Sequence, residues 1–497
     1  MKAPFSDLAG SARRGARFTT VASAVVIGFQ VCQISVLARI LAPSDFAIAS
    51  IASVAVSLLA FYADFGLSGA IVHFKQASKA QLSTLYWINV IAGTVLAILL
   101  IALAPWVGLY FDSPKLTGTL QWLSPVIVFS SATGQYRAIL QRDLSFGILA
   151  FANASNAAMS FVAAITAAMM GMGVFSVAIG AVAGSLIAAV ILFFRSPGFA
   201  HPSRIFQLSG VSPFLRFGGY QVAERTLGFI NTQIDVLVLG KFVGMAELGR
   251  YAPIKTLCIK PVMLVNPILT SVSFPIMSAA NQDLTRVARI YLMQIRSIVT
   301  LTAPLYFFCV ICAGPIVDIF LGPQWKDSTV LFQWLAMYGL LVSMGNPVGS
   351  LLLATGRARA SFLWNLGLSV LFPLAAVVAS PYGVSTIAAT ITILEGLLLI
   401  PGWRILVWAS CGASFGSYLA ALARPAAIAA LAAGITWPIT RLHFTSWETL
   451  LLTGFVGSLL YAALSLAFNR ETATLLWQTI RQRHNTDASA SDAHTVS

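Results

Sequence analysis

The sequence predicts an all-α polytopic membrane protein with about fourteen transmembrane helices, arranged as two six-helix lobes and an added C-terminal helix hairpin. Three observations support this fold class. Of the 497 residues, 58% are hydrophobic and only 9% are charged, whereas about 25% are charged in ordinary soluble domains. Apolar runs of roughly twenty residues, each long enough to cross a bilayer core of about 30 Å, cover most of the chain. The first pair of runs also recurs later in the same orientation.

The apolar runs can be placed one by one along the chain. The first is too long for a secretory signal and lacks a small-residue cleavage site, so it is predicted to be the first transmembrane helix. The fourth is the weakest, because Gly134, Gln135 and Arg137 interrupt its end. The fourteen predicted runs are 16–40, 46–72, 82–107, 119–139, 147–170, 174–194, 214–240, 247–274, 289–314, 329–354, 361–380, 383–407, 413–436 and 448–469.

A segment near the start of the chain is repeated about 202 residues later. Residues 37–47 (LARILAPSDFA) resemble residues 239–249 (LGKFVGMAELG), and 120–123 (LQWL) resemble 332–335 (FQWL). Two membrane bundles repeated in parallel are the architecture of an alternating-access transporter. The repeat predicts an N-terminal lobe (1–205) and a C-terminal lobe (206–410), with an added pair of helices 13 and 14 (411–470) outside it. The tail (471–497) ends in small, polar residues, so its end is predicted to be disordered.

The basic residues predict the topology. With the N-terminus in the cytoplasm, 19 cations fall in cytoplasmic segments. Six fall in the opposite loops, namely Arg39, Lys115, Lys241, Arg250, Lys326 and Arg441. This bias places both termini in the cytoplasm. The net charge of +14 is therefore explained by topology, and nucleic acid is not a predicted partner.

Most of the charges inside apolar runs fall in the predicted C-terminal lobe. A charge at the bilayer centre costs about 2.5–3.5 kcal/mol on insertion scales, so these side chains need protein or water around them. One interpretation is a cationic, water-filled cavity for an anionic substrate. The alternative is a structural ion-pair network, for instance between Glu224 and Lys260. The predicted cavity residues are Arg225, Lys255, Lys260, Glu224 and Arg296.

Three carboxylates are candidates for ion coupling: Asp64, Asp235 and Glu395. Asp64 is the exception in an N-terminal lobe that is otherwise nearly uncharged within its apolar runs. For Asp64, a packing role beside small residues is the alternative. Four of the five cysteines lie in the predicted apolar runs and Cys411 lies between two of them, and the C-x-x-C pair Cys309 and Cys312 has no histidine nearby in the sequence. We therefore predict no metal site, no cofactor and no catalytic residue.

These residues resemble the Wzx-type polysaccharide flippases, in the exopolysaccharide and colanic-acid branch of the multidrug/oligosaccharidyl-lipid/polysaccharide exporter superfamily. The resemblance is carried by residues 37–46 (LARILAPSDF), by 63–68 (ADFGLS) and by the repeat of the first junction at 239–249. It implies two lobes in a V shape. It also implies that an undecaprenyl-diphosphate-linked oligosaccharide moves from the cytoplasmic to the periplasmic leaflet of a bacterial inner membrane. Cations in the lumen, here Arg225, Lys255 and Lys260, would attract the diphosphate or acidic sugars.

The resemblance implies further partners and leaves alternatives open. The implied partners are the lipid-linked substrate, membrane lipids, a polysaccharide polymerase and a chain-length regulator. A lipid-linked peptidoglycan-precursor flippase shares the expected fold, and a multidrug exporter of the same superfamily should have a cavity dominated by carboxylates. A membrane polymerase would need a large loop or an Asp-rich motif, and neither occurs in the sequence. No Walker motif is present either, so direct ATP drive is not predicted.

Overall fold

The structure, a computed structural model, describes residues 5–64, 66–73, 78–198, 202, 211–442 and 444–468. Every secondary-structure element within these ranges is helical. The helices of the first half are α1 Phe5–Ile40, α2 Pro43–Asp64, α3 Leu67–His73, α4 Lys79–Tyr110, α5 Pro114–Arg142, α6 Phe146–Met169, α7 Phe175–Arg195 and α8 Ser212–Phe242.

The second half of the chain continues this pattern of long helices joined by short turns. Its α-helices are α9 Met245–Ala279, α10 Leu284–Ile311, α11 Ala313–Phe320, α12 Thr329–Gly345, α13 Val348–Ala354, α14 Ala358–Ala379, α15 Val384–Gly402, α16 Ala409–Cys411, α17 Phe415–Thr436 and α18 Ser446–Phe468. One π-helical turn, Trp403–Trp408, and three 3₁₀ turns, Pro323–Ser328, Ser380–Tyr382 and Trp437–Arg441, lie between them.

The predicted helical membrane fold is confirmed. Among the described residues, twelve helical segments are long and apolar enough to cross a membrane. Each overlaps one of the fourteen predicted runs. The fourth and seventh runs form the long helices α5 and α8, of 29 and 31 residues, but neither is among the twelve. The count of fourteen and the repeat of the two lobes therefore stay predictions.

Helix ends follow from local sequence. Pro43 is the first residue of α2, where its missing N–H removes no helical hydrogen bond. Helix α4 begins with a capping box, in which Ser78 Oγ accepts from the Gln81 amide at 3.2 Å and Gln81 Oε1 accepts from the Ser78 amide at 2.9 Å. Asp283 similarly accepts from the Arg286 amide at the start of α10. These side chains satisfy backbone donors that the first helical turn leaves unpaired.

The chain folds into two compact units. Unit 1 comprises Met1–Leu257, Phe320–Gln324 and Asn365–Ile387. Within it, α7 packs closely on α6 because Gly180 and Gly184 lie one turn apart on the shared face. A Cβ atom added to either glycine would lie 2.7 Å from a backbone oxygen of α6. Small residues at this spacing allow membrane helices to approach each other.

Unit 2 comprises Cys258–Ile319, Trp325–Trp364 and Ala388–Ser497. Helices α17 and α18 pack on each other and on α10. The Tyr461 hydroxyl of α18 donates to the Thr300 carbonyl of α10 at 2.8 Å, which ties the hairpin to that helix. The lobe boundaries predicted from the repeat do not coincide with these units and stay predictions.

Candidate functional site

A cavity of about 750 Å³ lies within unit 1. It is bounded by the C-terminal end of α2, by α3 and by the second half of α5, with one side completed by α6 and α7. The described lining residues are Ala60, Phe61, Asp64, Ser68, Gly69, Phe129, Ser130, Thr133, Gly134, Arg137, Gln141, Asn156, Ser185 and Ala188. Most are polar or small, which is unusual for the interior of a membrane protein and marks the cavity as a candidate binding site.

Asp64 is held at one wall of this cavity. It ends α2, and Gly66 follows in a left-handed conformation with φ of 66°, so the chain breaks and restarts as α3. This break places Ser68 beside the Asp64 carboxylate. The Ser68 hydroxyl donates to Asp64 Oδ1 at 2.5 Å and lies 3.3 Å from the Gly134 carbonyl oxygen. The structure thus places Asp64 at the cavity wall, and its role in ion coupling stays a prediction.

Gly134 of α5 permits the close approach to Asp64. A Cβ atom at this position would lie 3.1 Å from Asp64 Oδ1 and 3.4 Å from Ser68 Oγ. A larger side chain would therefore press on both polar groups and reduce the cavity. The glycine that interrupts the fourth apolar run thus has a local structural role at this wall.

The sequence does not predict Arg137 as a site residue, because it lies at the interrupted end of the fourth run and is counted among the 19 cytoplasmic cations. In the structure α5 continues through it to Arg142, and Arg137 lines the cavity. Its Nη1 atom donates to Asn153 Oδ1 of α6 at 2.7 Å. A sequence signal was present: Phe129, Thr133, Arg137 and Gln141 are spaced by four, which places them on one helical face.

The described lining of this cavity is balanced in charge. Asp64 and Arg137 are the two described lining residues with a formal charge, one negative and one positive. None of the five residues predicted to form a cationic substrate cavity is among the described residues that line it. The predicted cationic site is thus a separate hypothesis from the cavity seen in unit 1.

A second polar cluster lies between α8 and α9, also in unit 1. Lys255 Nζ lies 2.5 Å from Asp235 Oδ2 and donates to the Thr232 carbonyl at 2.9 Å. The Tyr251 hydroxyl donates to the same Oδ2 at 2.6 Å. Only 16% of the Lys255 side chain and 11% of the Asp235 side chain are exposed. Lys255 and Asp235 thus form a largely buried ion pair. A structural ion pair is also the alternative to a substrate cavity for Glu224 and Lys260.

The other predicted site residues lie on separate helices. In unit 2, Lys260 of α9, Arg296 of α10 and Glu395 of α15 are all partly buried. Glu224 and Arg225 lie in α8, but their side chains fall outside the described part of the structure. The predicted pairing of Glu224 with Lys260 is therefore outside what the structure describes.

Unit 2 contains a buried polar network that includes the helix carrying Lys260. Asn266 of α9 donates to the Ser343 carbonyl of α12 at 3.2 Å, and Ser343 Oγ donates to Asn266 Oδ1 at 2.9 Å. Ser343 Oγ also lies 3.4 Å from Thr302 Oγ1 of α10. All three side chains are buried, so the network joins three helices through paired polar groups. Among the described residues, no group of three or more His, Cys, Asp or Glu is arranged to hold a metal ion.

Comparison with curated proteins identifies several relatives. The chain is 28% identical to the lipopolysaccharide biosynthesis protein WzxC of Escherichia coli (strain K12) over 418 residues, covering 83% of this chain and 84% of the relative. It is 24% identical to the teichuronic acid biosynthesis protein TuaB of Bacillus subtilis (strain 168), covering 93% and 96%. It is 22% identical to the succinoglycan biosynthesis transport protein ExoT of Rhizobium meliloti (strain 1021), covering 71% of each.

Two solved structures share the fold. The lipid II flippase MurJ in an inward closed conformation superposes with a TM-score of 0.70 at 13% identity, over 93% of this chain and 99% of that one. An inward-facing multidrug resistance transporter of the MATE family superposes with a TM-score of 0.65 at 15% identity, over 79% and 96%. At these identities the similarity shows the fold alone. Residues 36–330 match the sequence model of one family, and because this match spans more than half of the chain, the protein is a multi-pass membrane protein that belongs to the polysaccharide biosynthesis protein family.

Proposed function

We propose that the protein is a flippase that translocates undecaprenyl-diphosphate-linked oligosaccharide repeat units across the bacterial inner membrane. The product would serve the synthesis of an exopolysaccharide, a capsule or an O-antigen. The observation that carries this proposal is the large polar cavity of unit 1, inside a helical membrane protein of the polysaccharide biosynthesis family. A polar cavity between transmembrane helices provides the surroundings that a sugar-bearing headgroup needs on its way through an apolar bilayer.

The relatives support this function over other chemistry. The proteins from Escherichia coli and Rhizobium meliloti are named for lipopolysaccharide biosynthesis and succinoglycan transport, so both belong to the synthesis or movement of glycans. The same comparison supports a non-enzymatic role. Among the alternatives, a flippase for a lipid-linked peptidoglycan precursor has the most support, because the fold is shared with the lipid II flippase.

The proposal includes an orientation, partners and a division of the chain. The cation bias supports cytoplasmic termini, and the inner membrane is where a lipid-linked repeat unit would be flipped. A polymerase and a chain-length regulator are the expected partners on the product side. We also propose that the chain is divided into the lobes 1–205 and 206–410, with 411–470 as the added pair of helices.

We propose that the charged residues of the predicted substrate cavity bind the substrate. Arg225, Lys255 and Lys260 are proposed to attract the diphosphate, because preplaced cations bind phosphate oxygens through charge-assisted hydrogen bonds. Lys255 also forms an ion pair with Asp235. Glu224 and Arg296 complete the predicted cavity. Asp64, Asp235 and Glu395 remain the candidates for ion coupling.

Deletion of the gene in its own host tests the function. We expect loss of surface polysaccharide and accumulation of the lipid-linked repeat unit, both restored by a plasmid copy. Surface glycan is measured chemically, and the lipid-linked intermediates are measured by mass spectrometry of the membrane lipids. Accumulation of a peptidoglycan precursor with normal surface glycan would support the alternative flippase. Changed sensitivity to toxic cations with normal glycan would support a drug exporter.

A further inference from the structure

We propose that the cavity of unit 1 binds the hydroxyl-rich sugar portion of the lipid-linked substrate and does not bind its diphosphate. This inference rests on the proposed function and goes further, because it assigns one part of the substrate to one set of residues. Four features of the cavity support it: its charge, its hydrogen-bonding groups, its aromatic walls and its position along the helices.

The charge of the cavity disfavours a diphosphate. A diphosphate diester carries two negative charges and requires a surplus of cations around it. The described lining contains one cation, Arg137, and one carboxylate, Asp64. In a partly dehydrated site, the carboxylate would repel the phosphate oxygens as strongly as the guanidinium attracts them at similar distances. An uncharged ligand has no such conflict.

The hydrogen-bonding groups match sugar hydroxyls. Each hydroxyl is both a donor and an acceptor, so a sugar site needs acceptors and donors side by side. Asp64 provides an acceptor group, and Arg137 provides a guanidinium with several N–H donors. The amides of Gln141 and Asn156, together with the hydroxyl of Ser130, supply both kinds of group around them.

Both charged groups are oriented by neighbours. Ser68 donates to Asp64 Oδ1 at 2.5 Å, and Asn153 accepts from Arg137 Nη1 at 2.7 Å. A side chain that is already fixed loses less conformational freedom when it binds a ligand. The cavity is therefore prepared for hydrogen bonding by contacts from α3 and α6.

The remaining features concern shape and access. Phe61 and Phe129 give the cavity two aromatic walls, against which the C–H faces of sugar rings can pack. The volume of about 750 Å³ lies within the range of about 300–1,000 Å³ found for ligand sites. The lining residues of α5, up to Gln141, lie at the end of the helix that the cation bias predicts to be cytoplasmic. A substrate assembled in the cytoplasm would meet this end first.

Charge substitutions at Asp64 and Arg137 test the proposal in the host. We expect Asp64→Asn and Arg137→Gln each to reduce surface glycan at least about tenfold at unchanged membrane abundance, because each removes a charged hydrogen-bonding partner. The double variant restores the charge balance but not the hydrogen bonds, so we expect it to remain inactive. Arg289 and Asp327, at exposed positions absent from the described cavity lining, supply the matched controls Arg289→Gln and Asp327→Asn, which should export normally.

Each competing explanation gives a different pattern. A diphosphate site would tolerate or gain from Asp64→Asn and lose function with Arg137→Gln. An ion-coupling carboxylate would lose function with Asp64→Asn alone. A structural charge pair would be rescued in the double variant. Any of these three patterns overturns the proposal.

A binding measurement separates the cavity from folding and from the function of the whole protein. The purified protein carries Ser130→Cys in a background where Cys32 and Cys309, the two native cysteines that are not buried, are replaced by serine, and its reaction with a maleimide is followed over time. The probes are the free oligosaccharide, released from the host's lipid-linked repeat unit by mild acid, and inorganic pyrophosphate at the same concentration. We expect the oligosaccharide to slow labelling severalfold and pyrophosphate to have no effect. Protection by pyrophosphate alone, or by neither probe, overturns the proposal. The proposed function itself fails only if gene deletion leaves the surface glycan intact.

Discussion

The ammonium of Lys255 on α9 lies 2.5 Å from Oδ2 of Asp235 on the preceding helix, α8. The same carboxylate oxygen accepts a hydrogen bond from Tyr251. Its other oxygen, Oδ1, is buried and has no hydrogen-bond partner among the described residues. Lys255, which is predicted to attract substrate, is therefore paired with Asp235, which is predicted to couple an ion. The two roles would need the same ammonium and carboxylate atoms.

We expect Lys255→Met and Asp235→Asn each to lower the stability of the purified protein, because each leaves one member of a largely buried pair without its partner. Breaking such a pair costs about 3–5 kcal/mol. The double variant should recover most of this loss. Thermal stability in detergent, followed by fluorescence-detected gel filtration, measures the three variants against the wild type in a double-mutant cycle.

Export measured on the same variants separates the roles. If Asp235 couples an ion, the double variant regains its abundance but does not export. If Lys255 contacts the substrate, Lys255→Met is inactive at full abundance and the stability cycle shows no coupling. Recovery of both abundance and export in the double variant is expected for a structural pair.

The lengths of the helices could be predicted well from the sequence, because hydropathy and bilayer thickness constrain them directly. The run predicted at 147–170 is α6, Phe146–Met169. Hydropathy does not predict the end of the fourth run correctly. Its polar residues predict an end near residue 139, whereas α5 continues to Arg142. Asn153 of α6 pairs with Arg137, and a partner from another helix cannot be found from local hydropathy.

The candidate site could be predicted only in part, for a related reason. Asp64 stood out because it is an isolated charge in an apolar run. Arg137 did not, because a cation near a helix end is expected to lie in a loop. The partner of Lys255 depends on the rotation of α9 about its own axis, and sequence spacing alone does not determine that rotation.

Gly134→Val should impair export without removing the protein from the membrane. Its added methyl groups would meet Asp64 Oδ1 and Ser68 Oγ, since even a Cβ atom would lie 3.1 and 3.4 Å from them, and they would occupy cavity volume. Gly147→Val is the matched control, because a Cβ atom at Gly147 has nothing within 4 Å. Surface glycan and membrane abundance are measured for both. Normal export by an abundant Gly134→Val protein would show that the cavity is not on the transport route.

Gly249→Ala should lower membrane abundance strongly. A Cβ atom at Gly249 would lie 1.8 Å from the carbonyl oxygen of Pro43, and this neighbour is backbone that has to move. Overpacking costs about 1–3 kcal/mol when side chains can adjust, and more when they cannot. Gly314→Ala adds the same methyl group where nothing lies within 4 Å and should be tolerated. Immunoblots of membrane fractions compare the two, and equal abundance would contradict the close contact between the start of α2 and α9.

Single cysteines at Lys115 and Arg357 should be labelled from opposite sides of the membrane. The 19-to-6 distribution of cations places Lys115 outside the cytoplasm and Arg357 inside it. A maleimide that does not cross the membrane is added to intact spheroplasts and to inverted vesicles, in a background that lacks all five native cysteines. We expect Lys115→Cys to react in spheroplasts and Arg357→Cys in inverted vesicles. Reaction of both from one side would contradict the odd number of crossings predicted between them.

Lys260 provides the sharpest test of the proposed diphosphate site. It lies in an apolar run of α9 and is partly buried, where an ammonium attracts phosphate oxygens more strongly than it would in water. Lys260→Gln should reduce export at least about tenfold, as expected for the loss of a charge-assisted hydrogen bond. Lys260→Glu should reduce it further, because a carboxylate repels the substrate. Lys326→Glu, the same reversal at an exposed position, is the control and should export normally.

The structural alternative for Lys260 predicts a different dependence on a second residue. If Lys260 neutralises Glu224, then Lys260→Gln leaves that carboxylate without a counter-charge and lowers membrane abundance. Adding Glu224→Gln should then restore the abundance. If Lys260 binds the diphosphate, abundance stays normal and Glu224→Gln gives no rescue of export, because the missing group is the cation itself. Surface glycan and membrane abundance, measured together for the two single variants and the double variant, distinguish these cases. Wild-type export from an abundant Lys260→Glu protein would remove Lys260 from the substrate path altogether.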